Sequence, residues 1–251
     1  MKFADKSVVV TGAGSGLGRA IAVGFCSDGA RVMGIGRTRM DLEETARLCG
    51  VERMHFVVGD VARPQDVERL FSETIRRYGK VDVQVNNAAL YPKIAFLESS
   101  QEEWNRVIGT NVIGVALCCR AALPGMLQLG FGRIVNVGSF AWKAPVQNSS
   151  AYSASKAAVS AFTKALAAEI DRDRYPDVLV NELVPGAVRT RMSEIGEDPI
   201  DIYPHVRFVV NLPRNGPTGK TFVQSALHSE DYGLRARLKR LVAFRGPLRG
   251  R

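Results

Sequence analysis

The chain has 251 residues, 46% apolar and 24% charged, a balance that disfavours global disorder and leaves material for a sizeable core. Its formal charge of +9 raises the question of nucleic acid, but residues 229–251 hold seven Arg or Lys against two acids, so the excess is concentrated in one basic tail. No apolar stretch reaches the roughly 18–20 residues that cross a bilayer, and the four cysteines show neither C-x-x-C pairing nor disulfide density.

Short Val-rich runs alternate with longer amphipathic stretches. Strands are expected at 7–10, 31–35, 55–58, 81–85, 133–137, 178–184 and 220–223, and helices at 17–27, 39–49, 64–78, 101–129 and 151–172. Continuous apolar strands separated by helices predict an α/β fold, a doubly wound parallel sheet of about seven strands with helices on both faces. No repeat or long linker divides the chain, so residues 1–228 read as one domain followed by the tail 229–251. Residues 190–219, with Pro199, Pro204, Pro213 and Pro217, read as irregular. Cys26, Cys49, Cys118 and Cys119 read as buried thiols of a cytoplasmic protein, and the N-terminus lacks the apolar run of a signal peptide.

In such sheets ligands bind beyond the carboxyl ends of the strands, so chemistry is sought just after each run. The first run is followed by Thr-Gly-Ala-Gly-Ser-Gly-Leu-Gly, residues 11–18. Glycines let another molecule approach the backbone, and the free N–H groups of the following helix suit a phosphate. The loop misses G-x-G-x-x-G, because Leu17 or Arg19 stands where the third glycine would fall. A tight structural turn would explain the loop alone equally well.

After the second run comes Gly36-Arg37-Thr38. An acid here would select NAD through the ribose hydroxyls. Arg37, with Thr38 and Ser15 as hydroxyl donors, favours NADP, and NAD(H) stays possible. Asp60-Val61 follows the third run and Asn86-Asn87-Ala88-Ala89 the fourth. Asn111 lies in the long helix that follows. Ser139 ends the fifth run, and Tyr152 and Lys156 stand four apart on the next helix, neighbours on one face. A lysine cation beside a phenol favours the phenolate and lowers its pKa, which suits a general acid or base near neutrality.

This ordered set resembles the short-chain dehydrogenase/reductase family in its compact single-domain branch. The resemblance rests on Thr11, Gly12, Gly16 and Gly18 (the family's G-x-x-x-G-x-G loop), Asp60, Asn86-Asn87-Ala88, Asn111, Ser139, Tyr152, Lys156, Pro185-Gly186 and Thr190. It implies hydride transfer between a nicotinamide and a carbonyl/alcohol pair. Tyr152 would exchange the proton, Ser139 would hold the substrate oxygen, and Lys156 would bind the ribose and depress the tyrosine pKa. Asn111 would hold a relay water. Gly12, Ser15, Gly16, Leu17, Gly18, Arg37, Thr38, Asp60, Val61, Asn87, Ala88, Pro185, Gly186, Val188 and Thr190 would complete the cofactor site. Ala89 departs from the family's glycine there, and Pro217-Thr218-Gly219-Lys220 looks more like its carbonyl reductases than its acyl-carrier-protein reductases.

Phe140, Trp142, Val146, Tyr91, Met192 and Ile195 are candidates for an apolar substrate wall, with a ketone or secondary alcohol of moderate size as substrate. The expected assembly is a homo-oligomer, dimer or tetramer, with no metal, nucleic-acid or membrane partner. An alternative is a catalytically silent NADP-binding regulator, which the presence of both Tyr152 and Lys156 disfavours.

Overall fold

The computed structural model describes residues 3–50 and 52–228. The Val-rich runs form one sheet. Strands β1 (Ser7–Thr11), β2 (Arg31–Gly36), β3 (Met54–Val58), β4 (Val83–Asn86), β5 (Gly132–Val137), β6 (Val178–Val184), β7 (Thr221–Val223) and β8 (Ala226–Leu227) lie in the order β3-β2-β1-β4-β5-β6-β7-β8. All neighbours are parallel up to β7, and β8 turns back antiparallel, making eight strands among the described residues where about seven were expected. The order reverses direction between β1 and β4, and that crevice receives the loops after both strands.

Among the described residues, seven α-helices accompany the sheet. On one face α1 (Gly16–Ser27), α2 (Arg39–Cys49) and α7 (Pro199–Val210) cover Val8, Val10, Val85, Val135 and Leu183. On the other, α3 (Pro64–Tyr78), α5 (Gly114–Leu129) and α6 (Ser150–Glu169) cover Val9, Ile35, Ile134, Val178 and Val180. This second face also carries a buried polar chain. Gln84 donates to Asn86 (2.8 Å), Asn86 to Asn136 (2.8 Å), and Asn136 to Thr163 on α6 (2.9 Å). Three of the cysteines are buried and Cys49 is half-buried; all four are free thiols.

Two helix expectations need correction. The helix expected at 101–129 is α4 (Gln101–Ile108), a π turn (Gly109–Ile113) and α5 in sequence. By length and composition this run, whose most apolar 18-residue window has a mean hydropathy of 1.7, is apolar enough to cross a membrane, contrary to the sequence expectation. Its Val115, Cys118, Cys119, Ala122 and Met126 pack into the second face of the core.

The second correction is α7, which lies inside the segment expected to be irregular. Pro199 stands in its first turn, where a missing N–H is harmless, and the Asp198 side chain caps it by accepting from the Ile200 N–H (3.1 Å). Pro204 lies within the helix and removes one backbone bond. Burial of Ile202, Tyr203, Val206, Val209 and Val210 outweighs that loss, and the buried Arg133 donates to the Val210 and Leu212 carbonyls at the helix end (3.1 and 2.9 Å).

Candidate active site

The carboxyl ends of β1 to β6 open into a cavity of about 720 Å³. Its floor starts with the loop after β1. Gly12 and Gly16 hold φ of 67° and 52°, the left-handed region that side chains rarely adopt. At Gly18 the requirement is space, because a Cβ there would fall 2.0 Å from the Gly12 carbonyl oxygen. Thr11 stitches the loop to the one after β4, its Oγ1 accepting from the N–H groups of Asn87 (2.9 Å) and Ala88 (3.0 Å). Arg19 folds back over the loop and donates to the Gly14 carbonyl (2.6 Å) and to Thr45 of α2 (3.0 Å). That clamp carries no sequence signal, since an arginine in the first turn of a helix looks like solvent-facing charge.

The donors left over fit a dinucleotide. Ser15 and Thr38 are the N-caps of α1 and α2, yet neither hydroxyl is spent on capping, and both line the cavity. The first turn of α1 contains no acid, so its positive end is uncompensated there. Arg37 is exposed at the rim, and Asp60 and Val61 stand after β3. Thr190 closes over the loop, its methyl 3.0 Å from where a Cβ on Gly16 would be.

Every anticipated cofactor-side residue lines this cavity, and so do Ser139, Tyr152 and Lys156. Thr110, Asp41 and Leu90, which sequence reasoning did not single out, line it too.

Lys156 is fully buried, and its Nζ donates to the Val137 carbonyl (2.7 Å). Burial pulls its ammonium down to about 8, and the charge of Glu182 opposes that pull. Its Nζ lies 5.6 Å from the centre of the Tyr152 ring. The Tyr152 ring packs on Tyr91, with centroids 4.4 Å apart. Contrary to the sequence expectation, the Tyr152 pKa is raised. Burial pushes it up, the neighbouring Ser139 hydroxyl lowers it, and Tyr91 raises it. Lys156 gives its ammonium to the Val137 carbonyl, and burial of the phenol sets the direction. Ser139 caps a short 3₁₀ turn, Phe140–Trp142, by accepting from the Ala141 N–H (3.1 Å), and its hydroxyl faces the Tyr152 phenol.

Asn111 does not line the cavity. In the π turn, its Oδ1 accepts from the Leu90 N–H (2.7 Å), while its Nδ2 donates to the Leu90 carbonyl and to Ser155 (both 2.9 Å). One amide hydrogen thereby braces the Leu90 loop beside Tyr91, and the other holds Ser155 on α6.

Of the substrate-wall candidates, Tyr91, Phe140, Val146 and Met192 line the cavity. Trp142 and Ile195 do not, and Ile195 is 79% exposed. The segment carrying Met192 forms a flap. Backbone bridges join Val188 to Glu197 and Thr190 to Ser193, and Arg191 reaches across the mouth to both carboxylate oxygens of Asp41 on α2 (2.9 Å each). That bond holds the Asp41 carboxyl below the usual range.

A cavity combining a phosphate cradle, a phenol, a hydroxyl donor and a buried lysine can orient a carbonyl and exchange a proton with it. Comparison with known proteins gives the family. The family described as short chain dehydrogenase matches residues 6–199. A short chain dehydrogenase/reductase of Aspergillus oryzae, astE, is 35% identical over 193 residues, covering 75% of this chain and 73% of its own. An uncharacterized oxidoreductase of Staphylococcus aureus is 30% identical over 218 residues, covering 84% of this chain and 93% of its own. Among solved structures, a 3-ketoacyl-(acyl-carrier-protein) reductase from Brucella melitensis complexed with NADH superposes with a TM-score of 0.81 at 29% identity, over 88% of this chain and 96% of its own. Levodione reductase superposes equally well at 26% identity with the same coverage.

Proposed function

The chain belongs to the short-chain dehydrogenase family, and from that premise we propose that it is an oxidoreductase using NADP(H) in preference to NAD(H) on a ketone or secondary alcohol of moderate size. The observation that carries the reading is the convergence of Ser139, Tyr152 and Lys156 in the same cavity as the glycine cradle. A bound nicotinamide dinucleotide supplies or takes up the hydride; the chain's part is positioning and proton handling.

Ser139 donates to the carbonyl oxygen and fixes its place. Tyr152 Oη gives that oxygen a proton, and the Lys156 ammonium steadies the phenolate left behind. The raised Tyr152 pKa keeps the phenol protonated at neutral pH, which favours the reductive direction. The wall of Tyr91, Phe140, Val146 and Met192 suits an apolar body around the reacting carbon, and Arg191, engaged with Asp41, is not free to meet an anionic one. The NADP preference rests on Arg37 at the position where an acid would bind the ribose hydroxyls of NAD.

A panel of ketones and secondary alcohols, followed by nicotinamide absorbance with each cofactor, tests the reading. Turnover should require Tyr152, with Tyr152→Phe silent although it still binds NADPH. Undiminished turnover by that variant would refute the mechanism.

A further inference from the structure

Beneath Lys156 the sheet carries an acid that the reaction as described does not use. Strand β6 turns Val178, Val180 and Glu182 toward α6 by simple alternation, and the two valines are ordinary core. Glu182 is buried as deeply, at 1% exposure. Its Oε2 accepts from Thr221 on β7 (2.7 Å), while Oε1 has no hydrogen-bond partner among the described residues. A buried carboxylate is costly even with hydroxyl donors beside it, and such groups persist where an opposite charge lies close.

The neighbouring strand makes room for it. A Cβ on Gly138 would fall 2.0 Å from Glu182 Oε1, so any larger residue at 138 would collide with the carboxyl group. Gly138 directly follows Val137, whose carbonyl receives the Lys156 ammonium. The unpartnered oxygen therefore lies one residue from the anchor of the active-site lysine. Lys156, Ser160 and Lys164 stand at successive four-residue steps along one face of α6. Burial pushes the Glu182 carboxyl up, and the Thr221 and Ser160 hydroxyls and the Lys156 and Lys164 charges pull it back toward the carboxylate. Its other neighbours, Thr221 on β7 and Asn136 in register on β5, are uncharged. Toward Lys156, Glu182 is the charge that acts.

We propose that Glu182 is a positioning residue for the reaction, the buried counter-charge that keeps Lys156 an ammonium, and that Gly138 exists to admit it. The proposal rests on the role given to Lys156 above. The sign follows from the geometry. Burial disfavours the ammonium, Glu182 opposes burial, and removing its charge lets Lys156 lose its proton at lower pH.

Glu182→Gln keeps the shape and can keep the Thr221 bond but not the charge. The test is a carbon NMR titration of the ¹³C-lysine-labelled protein without substrate or cofactor, with Lys156 assigned by its loss in Lys156→Arg. The Lys156 midpoint should fall by about 1 pH unit or more in Glu182→Gln. The alkaline limb of kcat should move down with it. An unmoved midpoint overturns the proposal. A midpoint that moves in a protein that reduces no carbonyl upholds the pair and rejects the proposed reaction; turnover with an unmoved midpoint does the reverse.

If Glu182→Gln does not fold, Glu182→Ala combined with Gly138→Ser fills the same space without charge and should give the same shift. Gly138→Ala alone should lose stability that Glu182→Ala restores. Equal losses in both backgrounds refute the steric half of the argument.

Discussion

Arg37 offers the sharpest test of cofactor choice. It is exposed at the rim of the cavity beside Thr38 and Ser15, and no hydrogen bond or ion pair among the described residues engages its guanidinium. A 2′-phosphate at that rim would gain a charge-assisted bond of about 1.5–3 kcal/mol. Exposure to solvent favours the lower end, which is about tenfold in Kd. Arg37→Asp removes that bond and adds repulsion of a similar order, so NADPH should bind about 100-fold more weakly. NADH should bind as well or better, because the new carboxylate can accept from the ribose hydroxyls. Titration of the purified protein with each reduced cofactor, followed by nicotinamide fluorescence, gives both constants. Repeating it at high salt should shrink the NADPH effect and leave NADH nearly unchanged. A ratio of the two constants within about threefold of the parent's, well below the expected change, would refute the assignment of Arg37.

Three further outcomes are expected. Gly18→Ala, whose Cβ would collide with the Gly12 carbonyl, should weaken both cofactors equally while circular dichroism stays native; a selective loss of one cofactor contradicts the shared cradle. Gly24→Ala would place a Cβ 2.3 Å from the Tyr203 ring and should cost about 1–3 kcal/mol by overpacking, lowering Tm by a few degrees, with Tyr203→Leu recovering part of it. An unchanged Tm would dismiss the α1–α7 contact as a stabilising one. Ser139→Ala should lower kcat by about 10²–10³ with KM little changed, as for loss of one donor to a developing oxyanion; a change confined to KM would make it a binding group only.

The sheet and the cradle were legible because their signals are local. Val-rich runs, a glycine loop directly behind the first of them, and Tyr152 and Lys156 four apart on a helix need no knowledge of distant contacts. What escaped depends on tertiary context. Pro199 and Pro204 read as breakers, yet the Asp198-Pro199 start and the spacing of Ile202, Val206, Val209 and Val210 were a helix signal outweighed by the prolines. The π turn and the bracing role of Asn111 arise where two helical pieces meet the Leu90 loop, 21 residues away in sequence. Arg19 and Asp41 gain meaning only once α2 lies against the glycine loop. Glu182 passed as part of an apolar strand, although one acid in a strand expected to be covered on both faces was itself an anomaly.

The bond between Arg191 and Asp41 joins residues 150 positions apart, and it joins them at the surface. An exposed ion pair of this kind adds little to the depth of an energy well and is screened by dissolved ions. Its influence falls on timing. A flap tied to α2 by a contact that water can reopen sets how often the cleft mouth clears, and so how long a dinucleotide stays. Where release of the spent cofactor is the slow step of the cycle, turnover should quicken as ionic strength rises, although the chemistry within the cleft proceeds at the same pace.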